Sequence, residues 1–335
     1  MSKMIYPEGY KSSLSVKDTQ KAIKLIKDTF QIKLAKKLNL DRVTAPIIVR
    51  SDSGINDDLN GVERKVTFDL KEMEGQIEVV QSLAKWKRRA LYRFGYEAGE
   101  GIYTDMNALR RDDDMDNIHS VFVDQWDWEK VITKEDRTIE YLKDTVQKII
   151  DTLIYTLTIV KAEYPEITTE ISKDVSFVTT QELLDMYPDL TAKERENAYV
   201  KEHRTVFIMQ IGDKLSDGTQ HDGRAPDYDD WTLNGDIMIY NDVLDQALEI
   251  SSMGIRVDKD RLNYQLKVRN AEERKSFDYH KNILNETYPL TIGGGIGQSR
   301  LCMLILQKAH IGEVHSSVWS PDMIKECEEN NIFLL

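Results

Sequence analysis

The alternation of apolar and polar positions predicts a chain built from both helices and strands. From Ser15 to Leu38 apolar residues recur every three or four positions, and Ser15 followed by Asp18 is typical of a helix start, so this stretch is predicted to be a long amphipathic helix. A second long helical pattern runs from Asp136 to Tyr164. After the first helix, RVTAPIIV predicts a strand, and Pro46 favours an edge position because proline has no N–H for a ladder.

Shorter patterns of the same kinds fill the rest of the chain, without internal repeats or low-complexity segments, and together they predict one compact α/β domain. The predicted strands lie at Lys65–Leu70, Gln76–Val80, Gly101–Leu109, Ser120–Trp128, VSFVTT, TVFIMQIG and LNGDIMIY. The predicted helices are SLAKWKRRALYRFG, Gln181–Met186, Ala192–His203, Lys259–Asn270 and Glu272–Asn285. Two polar segments, SDSGINDDLNG and KLSDGTQHDGRAPDYDDW, are predicted to be a binding or lid loop and an active-site loop, respectively.

A run of glycines near the C-terminus is the clearest candidate for ligand binding. Gly293, Gly294, Gly295 and Gly297 precede Arg300 and the apolar run LCMLILQ, which predicts a glycine loop opening a buried helix. Helix N-termini and an arginine favour a phosphate. The residue pattern matches neither the P-loop motif GxxxxGK[ST] nor the dinucleotide-binding motif GxGxxG. A plain glycine turn before a core helix remains the alternative interpretation.

Composition narrows the class of protein. The 335 residues carry a formal net charge of −13, and Lys85 to Arg89 form only a short basic patch, so a large tRNA partner is disfavoured. No apolar run approaches the roughly 20 residues that span a bilayer, and the first residues contain no apolar signal-peptide core. Cys302 and Cys327 do not suggest a disulfide framework. A cytoplasmic enzyme is therefore expected.

Polar residues on predicted strands are candidates for substrate binding. Gln125 and Asp127 alternate with two tryptophans, so both face one side, which is either a cleft or the solvated face of a half-buried strand. Arg110 ends the preceding strand and could bridge two oxyanions, or could pair with the acidic turn that follows it. Lys87, on the basic helix, is either a carboxylate ligand or a solvated residue.

A metal site is suggested by two carboxylates upstream of the glycines. Asp236 and Glu249 lie on LNGDIMIY and ALEISSMGIRV, and Mg²⁺ usually takes one or two protein carboxylates together with substrate phosphates.

Three of these features resemble the motifs of class II aminoacyl-tRNA synthetases. The helix and proline-containing strand resemble motif 1, which builds their dimer interface; the strands around Arg110 resemble motif 2; and the glycines with Arg300 resemble motif 3. Longer strings narrow the resemblance to the ammonia-dependent asparagine synthetases of the A type, the aspartate–ammonia ligases. These strings are QSLAKWKR, AGEGIYTDMNALR, HSVFVDQWDWE, KLSD, RAPDYDDW, LNGDI, SSMGIRVD and TIGGGIGQSR, and the likeness runs from about Val16 to Trp319. The stretch between Trp231 and Asn234 is short, whereas some members of this family carry a longer insertion there. The difference concerns only a surface loop.

The resemblance implies a class II synthetase-like catalytic core, largely an antiparallel sheet flanked by helices. Residues 1–335 would form one catalytic domain without a separate anticodon-binding or glutaminase domain. The implied reaction makes L-asparagine from L-aspartate, ATP and free ammonia through β-aspartyl-AMP, with Mg²⁺ as cofactor, in a homodimer without nucleic-acid or membrane partners. The implied aspartate-binding residues are Asp57, Lys87, Gln125, Asp127 and Arg256, and the implied nucleotide-binding residues are Arg110, Asp229, Asp236, Glu249, Ser252, Gly293, Gly294, Gly295 and Arg300. Arg110, Asp57 and Gln125 would be catalytic, with Asp57 the candidate that deprotonates ammonium, and Asp236 and Glu249 would bind the metal.

Two other functions share these motifs. An aspartyl- or asparaginyl-tRNA synthetase is disfavoured because the core helix begins near Ser15 and leaves no room for the anticodon-binding barrel. A non-catalytic synthetase-like subunit is expected to lose the phosphate-binding arginines, whereas Arg110 and Arg300 are both present.

Overall fold

The computed structural model describes residues 4–57, 59 and 63–335, and this part of the chain forms helices and strands in the following order. The helices are α1 Val16–Leu38, α2 Ala84–Phe94, α3 Ile139–Glu163, α4 Thr180–Met186, α5 Ala192–His203, α6 Lys259–Val268, α7 Asp278–Leu284, α8 Gln298–Ile305 and α9 Pro321–Glu329. The strands are β1 Leu40–Arg42, β2 Ile48–Arg50, β3 Thr67–Leu70, β4 Met73–Val79, β5 Gly101–Leu109, β6 Phe122–Val131, β7 Ser176–Thr179, β8 Thr205–Met209, β9 Asp229–Asn241, β10 Gln246–Arg256 and β11 Thr291–Gly297.

Eight strands form one sheet in the order β1-β5-β6-β11-β10-β9-β8-β7. Only the outermost pairs, β1 with β5 and β7 with β8, are parallel among the described strands; the inner pairs are antiparallel. A separate three-stranded sheet has the order β2-β4-β3. The predicted fold class, a mixed α/β protein with a largely antiparallel sheet flanked by helices, is confirmed.

Helix α1 covers one face of the large sheet. Its fully buried residues Ile26, Phe30 and Leu34 recur every four positions, and the Phe30 ring lies 4.7 Å from that of Trp126 on β6. Burying each such side chain contributes roughly 1.5–3 kcal/mol. The Ser15 hydroxyl accepts a hydrogen bond from the Asp18 N–H at 3.1 Å, so the predicted helix start is confirmed.

The other face of the sheet is covered by α2, α6 and α7. Their apolar side chains pack with residues of β5 in a second core cluster that includes Leu91, Ile102, Met106, Leu262 and Ile283. Because the tryptophans of β6 belong to the first core cluster, the residues between them along β6 face this second layer. The sheet therefore presents polar residues of β6 toward α2.

The glycine run is not a loop, and this prediction was wrong. Gly293–Gly297 lie in β11, which is hydrogen-bonded between β6 and β10 at the centre of the sheet. The predicted buried helix does follow at once as α8. The backbone N–H groups of its first turn are not all available to a phosphate, because the Ser299 N–H donates to Asp124 Oδ1 at 3.0 Å.

Two further predictions needed correction, and one helix was not predicted at all. RVTAPIIV is not one strand: its first residue ends β1 and its last two lie in β2, which are edge strands of different sheets, and Pro46 lies in neither. The helix predicted at Glu272–Asn285 is a 3-10 turn, Glu272–Ser276, followed by α7, because Phe277 between them is extended. Helix α9, capped by the Ser320 hydroxyl, was not predicted.

The polar loop predicted from Ser51 to Gly61 begins with a 3-10 turn at Ser51–Ser53, and its residues 58, 60 and 61 lie outside the described residues. No helix in the described ranges is long and apolar enough to cross a membrane.

Candidate active site

The second face of β6 carries a row of three polar side chains. Gln125, Asp127 and Glu129 alternate with Trp126 and Trp128, which are fully buried on the opposite face. The predicted alternation of Gln125 and Asp127 with the two tryptophans is therefore present in the structure. It continues one step further, to Glu129. Asp127 and Glu129 are also almost fully buried, at 3% and 0% exposure, so this face is not a solvated one.

These carboxylates belong to a buried ion cluster of five residues from four elements. Arg256 on β10 donates to Glu129 through Nε at 3.0 Å and Nη2 at 2.7 Å, and its Nη1 contacts Asp229 on β9. Lys87 on α2 contacts Asp127, lies 3.7 Å from Glu129 Oε2, and donates to the Trp128 carbonyl at 2.9 Å. The buried ion cluster thus holds two cations and three carboxylates, all below about a twentieth exposed.

Burial and pairing set the protonation of this cluster. Burial raises the pKa of Asp127 and of Asp229, and the adjacent cations offset only part of that effect. Burial acts in the same sense on Glu129, but Arg256 and Lys87 outweigh it and hold the pKa of Glu129 below its usual value. Burial would lower the pKa of Arg256, yet its two carboxylates raise it well above the ordinary range. Arg256 and Glu129 therefore each stabilise the charged form of the other.

The glycines of β11 leave room for the side chains of β6. A Cβ on Gly293 would collide with Glu129 Oε2, and a Cβ on Gly295 would collide with Gln125 Oε1. Gly294 faces the other way, where a Cβ would lie 2.5 Å from Met253 Cβ. Glycine is thus required at positions 293 and 295 because side chains of β6 cross over β11, and at position 294 because β10 lies close on the other face.

Arg110 and Arg300 line the same cavity of about 630 Å³, together with Phe122, Gln125 and Glu249. The Arg110 guanidinium donates to the Gln81 carbonyl through Nε and Nη2, both at 3.3 Å. Arg300 donates to the Glu249 carbonyl at 3.1 Å through Nη1, which also lies 3.5 Å from Glu249 Oε2. Arg300 Nε also donates to the Ile118 carbonyl at 3.4 Å. These contacts use Nε and Nη2 of Arg110 and Nε and Nη1 of Arg300, so an anion can reach the remaining N–H groups of each guanidinium. The two arginines therefore converge on one space.

Asp236 and Glu249 lie on adjacent strands and bracket a candidate Mg²⁺ position. Asp236 Oδ1 is buried without a hydrogen-bond partner among the described residues, while Oδ2 contacts Arg224. Burial, with help from Glu249 and Asp222, raises the pKa of Asp236 to about 7. Burial would raise the pKa of Glu249, but Arg300 and Arg224 outweigh burial and lower this pKa.

The described residues contain no group of three or more His, Cys, Asp or Glu side chains able to hold a metal ion on their own. Two hard oxygen donors, one of them lining the cavity of about 630 Å³, fit Mg²⁺, because this ion usually keeps substrate phosphates and water among its ligands.

Strand register explains how the remaining candidates come together. Asp236, Ser252, Gly295 and Asp127 are directly opposite one another across β9, β10, β11 and β6. Such a row lies on one face of the sheet. Asp57 comes from outside this row, in the segment after β2, and is 1% exposed; its Oδ1 accepts from the Leu59 N–H.

The sequence analysis missed three residues of this region. Glu129 could have been found by continuing the alternation of β6 by one more step. Gln81 gave no signal: its carbonyl anchors Arg110, and its fully buried side-chain amide has no hydrogen-bond partner within the described part of the chain. Arg224 was not singled out because it lies in an irregular loop, and its contact with Asp236 on β9 joins two different elements.

Solved structures with this fold are class II aminoacyl-tRNA synthetases. Asparaginyl-tRNA synthetase of Entamoeba histolytica, in complex with asparaginyl-adenylate, superposes with a TM-score of 0.61 at 13% identity, covering 90% of this chain and 66% of that one. The corresponding enzyme of Pyrococcus horikoshii, also complexed with asparaginyl-adenylate, gives 0.62 at 17% identity, covering 89% and 68%. The chain thus spans about two thirds of the length of these synthetases. The fold is that of a class II synthetase-like catalytic core.

Sequence relatives define the family more narrowly. The profile of the family described as aspartate-ammonia ligase matches residues 17–331. The aspartate–ammonia ligase of Ruminiclostridium cellulolyticum is 59% identical over 336 residues, covering 100% of both chains. That of Levilactobacillus brevis is 55% identical and covers 99% of both. The chain belongs to the aspartate–ammonia ligase family.

Proposed function

We propose that this protein makes L-asparagine from L-aspartate, ammonia and ATP by way of β-aspartyl-AMP, with AMP and pyrophosphate as the other products. The observation that carries the proposal is that the cavity of Arg110 and Arg300 adjoins the buried ion cluster through Gln125, two residues from Asp127 on β6. The full-length ligase relatives support these substrates. The adenylate is supported by fold neighbours that bind asparaginyl-adenylate.

The buried ion cluster suits a dicarboxylic amino acid because it offers both signs of charge. Lys87 and Arg256 would bind carboxylate oxygens of aspartate, while Asp127 would accept hydrogen bonds from its ammonium group. Glu129, at the back of Arg256, keeps that guanidinium oriented toward the substrate. Gln125, at the junction with the cavity, would direct the β-carboxylate toward the nucleotide.

In the first step the β-carboxylate attacks the α-phosphorus of ATP, so a carboxyl oxygen–phosphorus bond forms and the bond to pyrophosphate breaks. Arg110, fixed by the Gln81 carbonyl, would stabilise charge on the carboxylate and the α-phosphate, and Arg300 would hold the nucleotide phosphates. Gly295, which lines the cavity, and Ser252 opposite it would border the nucleotide. Asp229 belongs instead to the buried ion cluster through Arg256, and Gly293 and Gly294 do not line the cavity. Asp236 and Glu249 would hold a Mg²⁺ ion, which when bound neutralises phosphate charge.

In the second step ammonia attacks the acyl carbon, so a carbon–nitrogen bond forms and the carbon–oxygen bond to AMP breaks. The nitrogen must also lose protons, since ammonium dominates near neutral pH. Two protons leave in all: Asp57 would accept one of them, and the other would pass to solvent water. The placement of Asp57 supports this role. Burial raises the pKa of the Tyr228 hydroxyl most, and the nearby charge of Asp57 raises it further. The Tyr228 ring in turn lies 5.7 Å from the Arg256 guanidinium.

The proposal includes a homodimer formed through α1 and the segment around Pro46. Ile32, Ile47 and Ile48 in this region are exposed, at 67%, 58% and 38%, and apolar side chains of this size favour a covered surface. Sedimentation equilibrium tests this state directly. A cytoplasmic location is also proposed, in keeping with two buried free cysteines, Cys302 and Cys327.

The test is incubation with ATP, Mg²⁺, aspartate and ammonium, followed by identification of the products. We expect AMP, pyrophosphate and asparagine in equal amounts, no turnover without ammonium, and no effect of added tRNA. Formation of ADP would contradict adenylation, and transfer of an aminoacyl group to tRNA would favour the synthetase alternative.

A further inference from the structure

Arg224 occupies the region in which the proposed metal ion would be bound. It lies in the loop before β9, and its side chain is 13% exposed. Its Nη2 contacts Asp236 Oδ2, and its Nη1 donates to Asp222 Oδ2 at 2.9 Å and to the Gly223 carbonyl at 3.0 Å. Arg224 is therefore clamped between two carboxylates, one of which is a proposed metal ligand.

The carboxylates around Arg224 need a cation. Glu249 and Asp222 act on Asp236 as like charges, and Arg224 is the basic group with the strongest effect on Asp236. Even so, Asp236 Oδ1 remains buried and without a hydrogen-bond partner within the described residues. A buried carboxylate oxygen without a hydrogen-bond partner is destabilising. The arginine thus satisfies the site only in part, and a ligand for the second oxygen is missing.

We propose that Arg224 takes the place of the metal ion in the nucleotide-free enzyme and releases Asp236 when Mg²⁺ enters with ATP. The inference rests on the proposed function, since it assumes that Asp236 and Glu249 bind the metal. Exchange of one cation for another keeps the carboxylates neutralised in both states. It also makes metal binding depend on the nucleotide, because Mg²⁺ alone must compete with a tethered guanidinium while Mg²⁺ with ATP brings phosphate ligands of its own.

The position of Arg224 permits the exchange. It belongs to an irregular segment between β8 and β9, and Asp222, its second partner, lines the 630 Å³ cavity with Glu249. On the other side, the Arg224 carbonyl accepts a hydrogen bond from Arg269 at 3.3 Å, so the backbone stays anchored while the side chain turns. A released guanidinium would lie beside the cavity, where it could contact a phosphate.

The test is binding of Mn²⁺, a paramagnetic substitute for Mg²⁺, to the nucleotide-free protein, followed by electron paramagnetic resonance. Wild type should show no tight site. Arg224→Gln, which removes the charge at similar size, should bind Mn²⁺ at least about tenfold more tightly, and adding Asp236→Asn to that variant should abolish the gain. Arg224→Lys, which keeps a charge, should resemble wild type.

Two results would overturn the inference. The first is a folded Arg224→Gln variant that binds Mn²⁺ no better than wild type. The second, which needs no Arg224 variant, is a tight Mn²⁺ site in the nucleotide-free wild type that disappears in Asp236→Asn.

A parallel titration separates this inference from the proposed metal site. With α,β-methylene-ATP present, wild type should bind Mn²⁺, and Asp236→Asn and Glu249→Gln should weaken that binding. If both variants bind as wild type does, the proposed metal ligands are wrong. If they weaken binding while Arg224→Gln behaves as wild type without nucleotide, only the role of Arg224 fails.

Discussion

Glu129 shows how a single buried charge can organise a binding site. It accepts hydrogen bonds from Arg256 and from the Thr291 hydroxyl, the latter at 2.7 Å, and lies 3.7 Å from Lys87 Nζ. It does not line the cavity shared by the two arginines. Its hydrogen bonds hold Arg256 in one orientation, which under the proposed function would reduce the reorganisation needed to bind a substrate carboxylate.

Arg110 is the residue whose removal should affect chemistry most. Arg110→Ala is expected to lower the rate of AMP formation by about three orders of magnitude, because it removes a preorganised cation from the adenylation transition state. The fold should persist, since Arg110 is only half-buried and hydrogen-bonded to a single carbonyl. Steady-state assays of AMP release measure the effect.

Arg111→Ala is the matched control, because Arg111 is exposed in the adjoining turn. It should retain near-normal turnover. Equal rates for the Arg110 and Arg111 variants would remove Arg110 from the mechanism.

At this scale the sequence predicted which side chains share one face of a strand better than it predicted their partners. Gln125 and Asp127 could be placed on one face because alternation along a strand is a local property. The pairing of Glu129 with Arg256 could not be predicted, since it joins positions 127 residues apart in the chain. Gln81 was equally hidden, because its contact with Arg110 is made by a carbonyl that every residue type possesses.

Among the elements, β11 has the most exacting surroundings. It pairs with β6 on one side and β10 on the other, and large side chains from β6 cross over its glycines. Its amino-acid pattern resembled a turn because glycine is usually found where the backbone bends. In β11 glycine serves instead to leave space, which no local pattern reveals. Helices such as α1 and α5 were predicted well because their apolar spacing and caps are local.

Two substitutions in β11 should separate site from fold. Gly295→Ala is expected to displace the Gln125 amide, whose end is free to swing, and so to reduce turnover at least tenfold with little loss of stability. Gly294→Ala should instead destabilise the protein by about 1–3 kcal/mol, because its Cβ would meet Met253 Cβ at 2.5 Å and the Ser252 carbonyl at 2.7 Å.

Urea unfolding and steady-state kinetics on both variants measure the two effects. Equal losses of stability and activity in the two variants would contradict the assignment of opposite faces to these glycines.

On the scale of the whole molecule, distant segments brace the loop that follows Arg110. The Asn117 side chain donates to the Ile5 and Ala309 carbonyls and accepts from the Ile5 N–H, all at 2.8 Å. Tyr10 donates to Glu313 at 2.9 Å, which ties the N-terminal segment to the region after α8. The cavity wall therefore depends on packing between the two ends of the chain, which the sequence patterns could not predict.

His310 makes this region sensitive to acid. Burial lowers the pKa of His310 to about 4, and its Nδ1 accepts from the Gly312 N–H at 3.0 Å. Below pH 6.5 the His310 imidazole is protonated in the unfolded chain but stays neutral in the native protein. The free energy of unfolding should therefore fall progressively between pH 6.5 and 4, by about 3 kcal/mol in all.

His310→Asn retains an acceptor for Gly312 but cannot titrate. Its free energy of unfolding should vary less over this pH range than that of wild type, as measured by urea unfolding at several pH values. Identical pH profiles for the two proteins would rule out His310 as the source.

The central claim is that a carboxylate of aspartate and the α-phosphate of ATP react in the cleft between the buried ion cluster and the two arginines. The most direct measurement uses aspartate labelled with oxygen-18 in its β-carboxylate, with mass spectrometry of the products. Passage through β-aspartyl-AMP predicts that the AMP phosphate carries one labelled oxygen and pyrophosphate carries none. Unlabelled AMP, or label in inorganic phosphate alongside ADP, would contradict the account.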